Sequence, residues 1–182
     1  NGIIENYQEL KKELLASHKF ISETDSEVFV HLVEDLRKTN DLQEAARLAF
    51  LKLEGLSAFL VAESDSKTII AVKNGSPLVL GTNSAREYFL SSDALSFSDM
   101  VDQIVVIENF QLIEIGKDEP DLFDLKSGNK LSLSWQNLEI SGGEINKGEF
   151  EHFMLKEIME QPETIRQAVK LLDEELLEKL KK

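Results

Sequence analysis

Asn1-Gly2-Ile3-Ile4-Glu5-Asn6-Tyr7 and Ser22-Glu23-Thr24-Asp25-Ser26-Glu27 bracket the stretch whose reading decides the fold. Between them, Tyr7, Leu10 and Leu14 recur at helical spacing, with Glu9, Lys12 and Glu13 on the opposite face. That pattern predicts an amphipathic helix from Glu5 to about Ser17. Thr24 and Glu27 then stand in the S/T-x-x-E order of a capping box, which places Asp25 in the first turn of a second helix. Val28, Phe29, Leu32, Val33 and Leu36 supply its apolar stripe. Asp41 and Glu44 repeat the start signal, and Leu42, Ala45, Ala46, Ala49 and Leu53 carry a third helix toward Gly55.

Beyond Gly55 the pattern changes to short apolar runs. Ala58–Ala62 and Thr68–Val72 flank Ser64-Asp65-Ser66 as a hairpin would. Gln103–Ile107 and Phe110–Ile115 predict a second hairpin, and Leu131, Leu133 and Trp135 alternate as in a half-buried strand. The central runs are apolar on both sides, which suits a sheet covered on both faces. Helical spacing returns at Phe150, Phe153, Met154 and Ile158. Pro162 is expected to open a further helix, striped by Ile165, Ala168, Val169, Leu172, Leu176 and Leu180. Helices, then strands, then helices predict a layered α+β architecture.

A chain of 182 residues with 42% hydrophobic and 30% charged residues has the composition of a globular domain. Its formal net charge of −14 argues against a nucleic-acid surface, which needs clustered Lys and Arg. No apolar run reaches the eighteen or so residues of a membrane span. The sequence has no cysteine, so disulfides and thiolate metal sites are excluded. Its three histidines are far apart in sequence, and His18 and His31 are expected on surface and helix faces rather than in a metal site.

NGIIENY followed by SETDSE resembles the glutaminase domain of the glucosamine-6-phosphate synthase family, class II glutamine amidotransferases with an N-terminal nucleophile fold. Gly75-Ser76-Pro77-Leu78-Val79-Leu80-Gly81, Ser91-Ser92-Asp93, and the Glu151–Ile158 stretch with Glu160-Gln161-Pro162 fit the same family in the same order. The resemblance implies a four-layer αββα sandwich, here incomplete. Residues 1–161 would form the later part of the glutaminase domain, and 162–182 a helical linker toward a sugar isomerase domain. It also implies a cytoplasmic enzyme, homodimeric at full length, acting on L-glutamine and fructose 6-phosphate without a metal or organic cofactor, and without nucleic acid or membrane.

Site residues follow from the same resemblance. Asn1 and Gly2 would form an oxyanion hole from a side-chain and a backbone N–H, whereas the spacing alone favours a simple turn dipeptide. Asp25 would accept the α-ammonium of glutamine, a role compatible with a carboxylate complementing a helix dipole. His152, Lys156 and Glu157 receive no catalytic role. The sequence departs from the family in Glu149, where a Gly-Gly-type turn is usual, and in Phe110, which follows Asn109 where Gly is common. The larger departure is the missing cysteine nucleophile, together with the His-Thr-Arg-Trp type segment that holds the substrate carboxylate. The chain is therefore expected to be a fragment, inactive alone. The rival reading is a non-catalytic glutamine-binding or interaction module; another class II amidotransferase is disfavoured by Glu151–Ile158.

Overall fold

The structure, a computed structural model, describes residues 2–64, 66–116, 118–138 and 147–170. It divides into two units, Asn1–Glu139 and Ile140–Lys182. In the first, three helices precede the strands: α1 (Tyr7–Leu14), α2 (Ser26–Arg37) and α3 (Leu42–Phe50). Each buries the stripe its sequence predicts, among them Leu10 and Leu14, Val28, Phe29, Leu32 and Val33, and Ala45, Ala46 and Ala49. Asp41 caps α3 by accepting the Glu44 N–H at 2.8 Å. Past α3, Gly55 takes φ +106°, a left-handed value that costs glycine little, and the chain turns into the sheets.

The strands are β1 (Ser57–Ala62), β2 (Ile69–Asn74), β3 (Val79–Thr82), β4 (Tyr88–Ser91), β5 (Gln103–Val106), β6 (Gln111–Ile115), β7 (Asp121–Asp124), β8 (Lys130–Leu131) and β9 (Gln136–Asn137). They form two antiparallel sheets, ordered β1-β2-β6-β7-β8 and β4-β3-β5-β9. Because successive strand residues point to opposite faces, the two-faced apolar pattern of β2 sorts cleanly. Ile70 and Val72 join Leu112 against the helices, while Ala71 joins Ile113, Leu80 and Val105 between the sheets. Phe29, Phe50 and Phe59 pack as an aromatic cluster across α2, α3 and β1, with Phe29 and Phe59 centred 4.3 Å apart. On the outer face of the second sheet a 3-10 helix, Ala94–Phe97, and the segment after it pack Phe97 and Val101 against Val79. A Cβ at Gly81 would lie 2.8 Å from Val101 Cγ1 and 2.9 Å from Phe97 Cε2. The last residue of the Gly75–Gly81 stretch therefore sets how closely this cover sits. Helices, two stacked sheets and a thin cover make an incomplete αββα layering in this unit.

Four local expectations differ. Gln103–Ile107 and Phe110–Ile115 do not form a hairpin: β5 pairs with β3 and β9, and β6 with β2 and β7. Both runs bury side chains between the sheets, so placing them in opposite sheets lets Val105 and Ile107 pack onto Ile113 and Ile115. The link bends at Phe110, whose φ of +60° is unusual for a residue with a Cβ. Its N–H donates to Lys73 O at 3.0 Å and its ring lies 4.5 Å from Lys126 Nζ. The Thr24–Glu27 box is also rearranged. Glu27 accepts the N–H groups of Ile21 and Ser22, each at 2.8 Å, and the Ser22 hydroxyl at 2.6 Å. These bonds, the Ser22 hydroxyl foremost, hold its carboxyl down to about 2.

Leu131, Leu133 and Trp135 do turn toward the inter-sheet core, but as the chain passes from β8 to β9 rather than as one strand. In the second unit, α4 (Phe153–Lys170) runs unbroken through Pro162 instead of restarting there. Proline forfeits one main-chain bond, yet its fixed φ is itself helical. Residues 171–182, with Leu172, Leu176 and Leu180, lie outside the described residues. No helix among the described residues is long and apolar enough to cross a membrane.

Removing the Asp41 cap tests the helical layer. Asp41→Ala should cost about 1 kcal/mol of stability, within about 0.5–2. Urea unfolding should show a lower midpoint at unchanged slope.

Candidate functional site

The two ends of the bracketing stretch meet in space. Gly2 pairs with Ser57 in an antiparallel bridge, and the Ile3 N–H donates to Leu56 O at 3.1 Å. The Glu5 N–H donates to Glu54 O at 2.9 Å. Asn6 secures the same crossing from the side: its Nδ2 donates to Lys52 O at 2.9 Å and its Oδ1 accepts the Glu54 N–H at 3.0 Å. Since Ile3 supplies the bond at this pair, the N–H of Gly2 does not join the ladder toward β1.

Glycine is required on both sides of the crossing. Gly2 has φ +108°, and a Cβ there would lie 2.0 Å from Leu56 O. A Cβ at Gly55 would lie 2.5 Å from Ile3 O. No side chain fits either contact, so the backbones approach each other as only glycine permits.

Asp25 closes the arrangement. It precedes the first residue of α2, and its Oδ2 accepts the Ile4 N–H at 2.7 Å, a short charge-assisted bond. Ile4 is itself buried in the helix-facing core, so this donor has no recourse to water. Among the described residues Asp25 Oδ1 accepts no further hydrogen bond, which leaves one carboxylate oxygen for another donor. Asn1 lies outside the described residues.

Beside this junction runs a cleft of about 400 Å³ lined by Ser26, Ala58, Phe59, Pro77, Leu78, Ser91 and Ser92. It gathers the Gly75–Gly81 and Ser91–Asp93 stretches next to α2, although the three are separate in sequence. Asp25 adjoins the lining residue Ser26, and the partner of Gly2, Ser57, adjoins Ala58. Gly75, with φ +82°, donates its N–H to Asn109 Oδ1 at 2.8 Å and fixes one rim. Sequence reading passed over Asn6 and Asn109; each is an Asn within a few residues of a required turn, which was the available signal.

His31 lies on the face of α2 and His18 in the turn after α1, and although far apart in sequence their rings are centred 4.4 Å apart. The turn that follows α1 reverses the chain and lays His18 on the α2 face carrying His31 and Glu34, a proximity no sequence spacing reveals. His152, Lys156 and Glu157 belong to the second unit, on or just before α4.

Comparison with known proteins bears on the same residues. Residues 1–99 match the family described as glutamine amidotransferase domain. The glutamine–fructose-6-phosphate aminotransferase (isomerizing) of Methanocaldococcus jannaschii is 37% identical over 188 aligned residues, covering 98% of this chain and 17% of that protein. The enzyme of the same name from Listeria innocua is 37% identical over 178 residues, covering 96% and 29%. The chain thus spans less than a third of the length of these relatives. In structure it is similar to the glutamine phosphoribosylpyrophosphate amidotransferase of B. subtilis, with a TM-score of 0.61 at 21% identity, over 70% of this chain and 28% of that one. That likeness is one of fold.

The Ile4–Asp25 bond yields a stability prediction. Asp25→Ala strands a buried N–H and should cost about 1–3 kcal/mol, whereas Asp25→Asn keeps an acceptor and should cost roughly half as much or less. Denaturant unfolding of both variants checks the ordering.

Proposed function

The chain belongs to the glutamine amidotransferase domain family, and from that membership we propose that it forms part of a glutamine–fructose-6-phosphate aminotransferase. In this reading the domain hydrolyses L-glutamine to glutamate. The ammonia released passes to fructose 6-phosphate in a second domain, giving glucosamine 6-phosphate. Residues 1–161 then belong to the glutaminase domain, and residues from 162 onward lead toward the isomerase domain. The complete protein is proposed to be a cytoplasmic homodimer. The observation that supports the proposal is the 2.7 Å bond from Ile4 to Asp25, which ties together the NGIIENY and SETDSE stretches on which the family resemblance rests.

The proposed chemistry divides between a cysteine from outside these residues and Asn1, Gly2 and Asp25. A cysteine thiolate, its proton taken by the N-terminal amine, attacks the side-chain carbonyl carbon of glutamine. Negative charge gathers on the former carbonyl oxygen, where the side-chain N–H of Asn1 and the backbone N–H of Gly2 stabilise it. As the intermediate collapses the N-terminal ammonium returns its proton to the departing nitrogen, ammonia leaves, and water hydrolyses the thioester to glutamate and the free thiol. Asp25 holds the α-ammonium throughout. The amide of Ile4 occupies one of its oxygens and so fixes the other in direction, a preorganisation that an unattached carboxylate would lack. Since the 182 residues contain no cysteine, they do not supply the nucleophile. A chain of these residues alone should release no glutamate from glutamine, and turnover that persists through repurification contradicts this.

Kinetics of the complete enzyme separate the two roles. Asn1 acts on a charge that exists only during reaction, so Asn1→Ala should lower kcat by about 10²–10³ with little change in KM. Asp25 meets an ammonium charged before and during reaction, so its contribution approaches uniform binding. Asp25→Asn should raise the KM for glutamine by roughly ten- to a hundredfold, matching a lost charged hydrogen bond of about 1.5–3 kcal/mol. An unchanged KM would reduce Asp25 to a structural acceptor at the start of α2 and overturn its assignment to the ammonium.

A further inference from the structure

His18, in the turn after α1, and His31 and Glu34, on successive turns of α2, converge on one point. Glu34 Oε2 lies 3.3 Å from His18 Nδ1 and 3.2 Å from His31 Nδ1. A tetrahedral ion with bonds of roughly 2.0–2.1 Å sets its donor atoms roughly 3.3–3.4 Å apart. Two edges of that figure are therefore already in place, and a donor atom from each of the three residues lies within 4.8 Å of the other two.

The far edges of both rings face carboxylates as well. His18 Nε2 lies 2.9 Å from Asp35 Oδ2, and His31 Nε2 lies 3.6 Å from Glu27 Oε1. Both Nε2 atoms are shut away from solvent without a well-formed hydrogen bond. Each ring thus faces carboxylate oxygens from both nitrogens, at 2.9–3.3 Å around His18 and at 3.2 and 3.6 Å around His31, whereas a neutral imidazole carries a single N–H. Protonating both rings would satisfy the acceptors but stack two cations 4.4 Å apart. One divalent ion between the Nδ1 atoms resolves the conflict. Each ring then turns its remaining Nε2–H to a carboxylate, the arrangement by which outer carboxylates orient metal-bound histidines. Those carboxylates are themselves anchored, Asp35 by Lys38 at 2.6 Å and Glu27 by the N–H groups of Ile21 and Ser22.

We propose that His18 Nδ1, His31 Nδ1 and Glu34 Oε2 form a site for a first-row divalent transition ion, with Zn²⁺ the best geometric match. Two imidazoles and one carboxylate suit such an ion and not Mg²⁺ or Ca²⁺, which take oxygen donors. Glu34 is largely exposed, so water reaches the fourth position. The ion ties the turn after α1 to α2 and so braces the helix whose start carries Asp25. The site stands apart from the proposed glutaminase chemistry and does not rest on it.

Titration of the protein with Zn²⁺ alone, followed by calorimetry, tests the proposal. One equivalent should bind, and an excess of Mg²⁺ should not compete. Glu34→Gln, a change at an exposed helix position that should leave folding intact, should weaken binding at least tenfold. Asp35→Asn should weaken it by about 10- to 100-fold. His152→Ala, in the other unit, should leave it unchanged. Nitrogen NMR of the histidine rings should show the metal on Nδ1 and the proton on Nε2 of both His18 and His31. The proposal is overturned if the wild-type protein takes up no stoichiometric Zn²⁺, if Glu34→Gln binds as well as wild type, or if the ion sits on Nε2.

Discussion

The crossing of Gly2–Ile4 over Gly55–Ser57 is the contact on which the rest of this unit depends. Two backbones meet there at separations that exclude any Cβ, with Leu56 O and Ile3 O standing where side-chain carbons would be. Such an approach brings main-chain groups together but supplies no side-chain packing of its own. It is held by the ladder bonds of Ile3 and Glu5, the side-chain amide of Asn6, and the Asp25 carboxylate on Ile4. The same contact fixes where α1 begins, where β1 begins and where the start of α2 points. Three elements are thereby registered by one junction.

That junction sits at the edge of a conventional packing solution. β2 and β6 lie in the middle of the five-stranded sheet and present apolar side chains to both faces, one toward the helices and one toward the second sheet. Burial on both faces makes the strand register expensive to change, because a slip of one residue would exchange Ile70 and Val72 for Ala71. The rigidity of this sheet is transmitted to β1, and through Ser57 to Gly2. The donor role proposed for Gly2 would benefit from such a support, because a donor must be held in place before charge develops.

Much of this was legible in the sequence, for definite reasons. The helical stripes were readable because each α-helix buries one face, and Asp41 because a cap acts within its own first turn. The cleft beside Asp25 gathers lining residues from three of the family-like stretches, Ser26, Pro77 with Leu78, and Ser91 with Ser92, a convergence that spacing along the chain does not show. What escaped depends on the third dimension. Alternation in Gln103–Ile107 and Phe110–Ile115 cannot tell two strands of a hairpin from two strands facing each other across a core. Phe110 was noticeable as a departure, and its left-handed φ supplies the reason glycine would be at ease there. Glu27 was recognised as a local acceptor, but its partners lie upstream of the expected Thr24. The pairing of His18 with His31 needed the reversal between α1 and α2, and no spacing rule contains it.

The central claim is that Asp25, oriented by its bond to Ile4, recognises the α-ammonium of glutamine. The most direct measurement compares glutamine with the analogue lacking the α-amino group as glutaminase substrates. Both would be assayed with the complete enzyme and with its Asp25→Asn variant. In the wild type, kcat/KM should favour glutamine by roughly ten- to a hundredfold, the worth of one charged hydrogen bond, and that preference should collapse in the variant. A preference that survives Asp25→Asn undiminished would show that the ammonium is read elsewhere and would contradict the account.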